Sequence, residues 1–163
     1  MVVVSDTSPL SNLITIGRLH LLQDLFGVVI IPEKVKQEVL RLSESGIDLK
    51  TFSEAEWIIV KKPANQVLVE QLLEELDAGE AEALALYQEL QADQLLIDER
   101  KGRKKAESLN MHVIGLLGCL VKAKHAGLLT HVKEVLDAII DQAGFRISEQ
   151  LYQQVLISCK EDG

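Results

Sequence analysis

Four short apolar runs most constrain how this chain can fold: Val2-Val3-Val4, Val28-Val29-Ile30-Ile31, Trp57-Ile58-Ile59-Val60 and Gln94-Leu95-Leu96-Ile97. The first two are β-branched runs of the kind buried on both faces of a parallel sheet. The third reads as an edge strand. Stretches with apolar residues at helical spacing separate the runs, and strands alternating with helices imply a parallel sheet flanked by helices. The expected fold is α/β: a central, mostly parallel sheet of four to five strands, with additional C-terminal helices.

The punctuation between the runs is explicit. Pro9 suits the first turn of a helix that Thr7 or Ser8 can cap. Leu10, Leu13, Ile14, Leu19, Leu22 and Phe26 give two short helices, parted by Gly17 and stopped by Gly27. Pro32 starts the next helix, with Val35, Val39, Leu40 and Leu42 as its apolar face. Residues 43–54 read as a loop or short helix, and Val67 to Leu76 as an amphipathic helix. Asp77-Ala78-Gly79-Glu80 is a helix start in which Asp77 caps and Glu80 takes the third helical position. The basic stretch opens a helix over Arg103 to Leu109. Further helices are expected over Leu116 to Ala126, Leu128 to Ala143 and, capped by Ser148, Glu149 to Cys159. No linker divides the chain, so residues 1–163 are expected to form one domain, with a core of about 1–126 and a helical extension of about 127–163.

Composition narrows the class. A hydrophobic fraction of 47% in 163 residues suffices for a core, which must be aliphatic because aromatics are only 4%. No apolar run approaches the ~20 residues of a membrane span, and no basic region precedes a long apolar stretch at the N-terminus. Cys119 and Cys159 lack metal-ligand spacing and read as buried or incidental thiols, so a cytoplasmic protein without membrane contact is expected. The net charge of −8 argues against a non-specific nucleic-acid binder. A local cluster softens that objection: Arg100, Lys101, Arg103, Lys104 and Lys105 fall within six residues and can face a phosphate backbone.

Four acids occupy places where such a fold makes a pocket. Asp6 and Asp98 end strands, Glu80 begins a helix, and Glu38 flanks the buried stripe of another. Open parallel sheets place their ligands at the carboxyl ends of the strands. Each acid alone has a structural reading, as a helix cap, a solvated helix residue, a capping-box glutamate or a loop tip. As a set they differ, because carboxylates brought together repel and are costly without a cation. Mg²⁺ or Mn²⁺, hard ions that take oxygen ligands and water, would relieve that cost and support attack on a phosphodiester.

The set also carries a resemblance. Val3-Val4-Ser5-Asp6-Thr7-Ser8-Pro9-Leu10 resembles the opening strand of PIN-domain proteins, and Pro32 to Leu40 is similar to the helix bearing their second acid. Asp77 to Ala83 and Leu95 to Arg103 resemble the third and fourth acidic motifs, and Ile114-Gly115-Leu116-Leu117-Gly118 the helix start that follows. The resemblance runs in order over residues 1–126, and the tail to Ile157 fits a little-characterised prokaryotic PIN-like subgroup.

The resemblance implies a Mg²⁺- or Mn²⁺-dependent ribonuclease of the VapC-like kind, the RNA-cleaving toxin of a toxin–antitoxin pair. It carries catalytic and metal-holding roles to Asp6, Glu80 and Asp98. Glu38 would complete the site or orient the attacking water, and Glu99 could substitute for Asp98. Many VapC-like proteins have aspartate where this chain has Glu80, so that ligand reaches one methylene further here; Glu82 is a weaker stand-in. Thr7 or Ser8 would hydrogen-bond a ligand carboxylate or a water. Arg100, Lys101 and Arg103, directly after the fourth acid, would hold the substrate backbone. The implied partners are RNA, an antitoxin protein and a second copy of the chain. Apolar residues within Leu10 to Phe26 would suit a homodimer or an antitoxin segment where the domain's own core does not take them. The rival reading is a catalytically silent PIN-like binding or regulatory module. A haloacid-dehalogenase-like phosphatase wants an aspartate two residues after Asp6, where Ser8 stands, and a phosphate-transfer receiver wants an acidic pair where Asp6 is alone.

Overall fold

The computed structural model describes residues 1–162. Five strands form one all-parallel sheet in the order β3-β2-β1-β4-β5. They are β1 (Val3–Ser5), β2 (Val29–Pro32), β3 (Ile58–Lys61), β4 (Gln94–Leu96) and β5 (Val113–Ile114). β1 lies at the centre, pairing Val4 with Ile30 of β2 on one side and with Leu95 of β4 on the other.

Side chains alternate across the sheet, and both faces are used. Val3, Val29, Ile31 and Leu96 enter one hydrophobic cluster, and Val4, Ile30, Leu95 and Ile97 pack in a second. Helices α1 (Thr7–Thr15), α2 (His20–Phe26), α3 (Glu33–Leu40), α4 (Lys50–Ser53), α8 (Leu116–His125), α9 (Val132–Ala143) and α10 (Glu149–Ser158) contribute to the first cluster. Helices α5 (Gln66–Leu72), α6 (Ala78–Leu90) and α7 (Arg100–Ser108) cover the opposite face. Two covered faces explain why the strand sequences are continuously apolar rather than alternating. The apolar residues that the sequence offered for a dimer face lie inside this core: Leu10, Leu13, Ile14, Leu19, Leu22 and Phe26 are all buried.

Several local expectations are corrected. Asp6 holds the N-cap position of α1, so Thr7 is already helical and neither Thr7 nor Ser8 caps the helix. Pro32 ends β2 and is itself the N-cap of α3. Leu40 is exposed, because one residue beyond Val39 it points about 100° away from the buried stripe. The chain then tightens into a 3₁₀ turn, Arg41–Ser45. α7 begins at Arg100, three residues before the expected start, with Glu99 at the N-cap and its carbonyl accepting the Arg103 N–H at 2.9 Å. α9 begins only at Val132. The Leu128 N–H instead closes the end of α8 on the Ala123 carbonyl at 2.8 Å, and Glu161 accepts the N–H groups of Val132 at 2.8 Å and Lys133 at 3.1 Å. A carboxylate from the C-terminal segment thus satisfies the orphan donors at the start of α9. Ser148 caps α10 as expected, its hydroxyl accepting the Leu151 N–H at 3.1 Å. Both cysteines are free and buried. Among the described residues, no helix is long and apolar enough to cross a membrane.

Candidate active site

The chain changes direction of travel across the sheet at β1: β2 and β3 extend to one side, β4 and β5 to the other. Such switch points leave a crevice outside the carboxyl ends of the strands. Asp6 follows β1 directly, and its N–H donates to the Leu96 carbonyl of β4 at 2.9 Å. Asp98 lies two residues beyond that carbonyl. The pairing of β1 with β4 therefore sets both acids at the same end of the sheet.

Asp6 and Glu80 are 4% and 5% exposed. Burial pushes the Asp6 carboxyl up to about 8. The Thr7 N–H pulls it back, and the charges of Glu80, Asp77 and Glu38 raise it further. Glu80 is also raised, first by burial and then by the charges of Asp77 and Glu99, against the lowering effect of the Asp77 N–H. Its position is fixed by a full capping box. Asp77 Oδ1 accepts the Glu80 N–H at 2.8 Å, and Glu80 Oε1 accepts the Asp77 N–H at 3.2 Å. Glu38 is half-buried and accepts a hydrogen bond from the Thr7 hydroxyl. Asp98 is raised by burial, lowered by the Leu116 N–H and the Arg103 guanidinium, and raised again by Glu99. The Leu116 bond goes to Oδ1 at 2.8 Å, while Oδ2 is buried without a hydrogen-bond partner.

Three glycines, which the sequence did not single out as site residues, make room for three of these acids. A Cβ at Gly79 would stand 2.9 Å from both Glu38 carboxylate oxygens. At Gly102 it would stand 3.0 Å from Glu80 Oε2 and 2.6 Å from Ile97 Cδ1. At Gly115 it would stand 2.8 Å from Asp98 Oδ1 and 2.6 Å from an Arg103 guanidinium nitrogen. The available signal was local: Gly79 and Gly102 occupy the first turns of α6 and α7, where glycine is a poor helix former and so implies close approach.

The site is thus partly gathered. Asp6 feels the charges of Glu80, Asp77 and Glu38, and Glu80 feels those of Asp77 and Glu99, with Asp77 as an unforeseen member. Asp98 sits apart, tied to Leu116 and Arg103. Among the described residues, no three His, Cys, Asp or Glu side chains are arranged to hold a metal ion. Glu99 is exposed, and Glu82 is engaged elsewhere, accepting the Lys34 N–H at 3.3 Å. A groove of about 870 Å³ begins at Asp98 and runs along α1 and the start of α8 to Gly144, Phe145 and Arg146. Ser8, Glu99, Arg100 and Arg103 line it, whereas Lys101 is exposed outside it.

Fold and acids together describe an α/β domain with an all-parallel sheet and acidic side chains at the carboxyl ends of its central strands. A family model described as a PIN domain matches residues 2–161, and the chain belongs to the PIN-domain family. A search of curated proteins and a search of solved structures each return no match. PIN domains are generally nucleases and typically bind divalent metals.

Proposed function

We propose that this chain is a Mg²⁺- or Mn²⁺-dependent endoribonuclease, acting as the toxin of a toxin–antitoxin pair, and that residues 1–163 form one domain. The observation that carries this reading is the buried Asp98 Oδ2, an acceptor without a donor, at the same sheet edge as the buried Asp6 carboxyl. An unpartnered buried carboxylate oxygen is costly, and a hard cation with its waters is the partner such an oxygen lacks. Asp6, Glu80 and Asp98 would hold one or two metals, directly or through water, with Glu99 in reserve. When bound, the ion supplies charge stabilisation for the phosphate and an activated water.

The chain's own residues do the rest. The Thr7 hydroxyl fixes the Glu38 carboxylate, which orients the attacking water. Water adds to phosphorus, the bond to the leaving oxygen breaks, and that oxygen departs with a proton. Arg100 and Arg103 hold the neighbouring phosphates. A second reading, a silent binding module, is favoured by one specific observation. Glu38 and Glu80 already accept hydrogen bonds from protein donors, the Thr7 hydroxyl and the Asp77 N–H.

The test is RNA cleavage by the purified protein in Mn²⁺, in Mg²⁺ and in excess chelator, beside Asp6→Asn. Metal-dependent cleavage that falls at least about a hundredfold in the variant is expected. Equal activity of the two proteins overturns the assignment of the site. No cleavage of varied RNAs, with no metal bound in a titration, favours the binding module.

A further inference from the structure

The C-terminal helices have no part in holding the acids, yet the loop between α9 and α10 reaches the site. Gly144 ends α9 in the left-handed conformation, φ 70°, and Phe145, half-buried against the core, and Arg146 follow it into the lining that also holds Arg100 and Arg103. Ser8 and Asn12, four residues apart on one face of α1, also line it. Among the described residues the three ion pairs use Lys105, Lys124 and Lys133, so none of the three groove arginines is ion-paired. Arg103 spends one N–H on the Ile97 carbonyl at 3.2 Å. Three arginines against two acids, Asp98 and Glu99, leave the groove lining with a small positive excess in a chain of net charge −8.

We propose that this groove binds a single-stranded nucleic acid, with Arg146 and Arg100 on its phosphates and one base stacked on Phe145, and that the 144–148 loop is therefore a substrate-positioning wall. Guanidinium groups match phosphate geometry, aromatic rings accept any base face, and Ser8 and Asn12 offer neutral donors and acceptors. Asp98 is part of the groove lining, so a strand lying there passes that acid. The assignment of the strand as substrate rests on the nuclease reading above; the binding itself does not.

The test is fluorescence anisotropy of an end-labelled single-stranded RNA of about eight nucleotides, with the full chain in chelator, across a salt series. Arg146→Glu is expected to weaken binding about tenfold or more and to lower the salt slope by about one. Phe145→Ala is expected to weaken it about tenfold at unchanged salt slope, while Phe145→Tyr, which keeps the ring, binds as the unaltered protein does. Lys62→Glu, past the far edge strand β3, makes the same charge change outside the groove and is expected to have little effect. Arg146→Glu binding like the unaltered protein overturns the proposal, as does an equal loss in Lys62→Glu. So does failure to bind RNA beside Arg146-dependent binding of a labelled acidic peptide. Cleavage in Mn²⁺ is read separately. Groove-dependent binding without cleavage counts against the nuclease reading alone, and cleavage with unchanged KM in Arg146→Glu counts against the groove alone.

Discussion

Two like-charged regions meet at Asp98, and they are built on opposite terms. On one side Asp6 and Glu80 are buried with Glu38 and Asp77 close by, and their carboxyls are pushed up. On the other, Arg100 and Arg146 stand exposed along an open groove. Water screens the arginines, so their repulsion costs little. The acids have lost that screening, and their burial first, with neighbouring charge added to it, makes their ionisation costly to the fold. The difference teaches where to look for function: a protein keeps buried, mutually repelling groups at the expense of its own stability.

The largest test of that contrast is Asp6→Asn. The Asp6 carboxyl titrates near 3.8 in the unfolded chain and near 8 in the folded one. Between those values the folded state keeps a proton that the unfolded chain has released. Stability therefore falls as pH rises through that window and levels off above it. At about 1.4 kcal/mol per pKa unit the loss is on the order of a few kcal/mol. Denaturant melts at pH 5 and pH 8 without divalent metal are expected to show a smaller drop in Asp6→Asn, and a variant more stable than the parent at pH 8. An equal drop in both proteins would mean that Asp6 is not the strained group.

A smaller effect separates packing from charge. Gly102→Ala removes no acid but drives a methyl against Ile97 and Glu80. Overpacking of this kind costs about 1–3 kcal/mol, read as a lower unfolding midpoint, and the displaced Glu80 should reduce cleavage as well. Ser148→Ala removes the cap that anchors the groove loop to α10, at about 1 kcal/mol by thermal melt. Smallest of all, Arg100→Gln on the exposed side should stay within about 0.5 kcal/mol of the parent in the same melt. A larger change would erase the distinction between the two regions.

The sheet was readable because burial on both faces writes itself into the sequence as continuous apolar runs such as Val28 to Ile31. The capping box at Asp77 and Glu80 was equally plain, because both its partners lie within one helical turn. What stayed hidden was long-range. Nothing near Leu128 announces that Glu161 will set the start of α9. Nothing near Gly102 names Glu80, on another helix, as the side chain it makes room for. The same holds for the groove: Phe145 and Arg146 lie some forty residues from Arg103, and only the folded chain brings them into one lining. The four acids could be proposed from their places at strand and helix ends, but their unequal gathering, with Asp98 apart, depends on side-chain partners such as Leu116.

The central strand also sets the order in which this molecule can be assembled. β1 finds β2 within a short stretch of chain, yet its other edge pairs Val3 with Gln94, and the Val2 N–H reaches Asp93 at 2.6 Å. Pairings this distant in sequence close late. On a ribosome, a nascent chain that already contains Asp6, Glu38 and Glu80 would still expose one open edge of its innermost strand until β4 emerged. That edge is short and apolar, the kind that recruits another strand. Truncations that stop before Gln94 are therefore expected to aggregate, and Asp98 can join the other acids at the sheet edge only once β4 has been made.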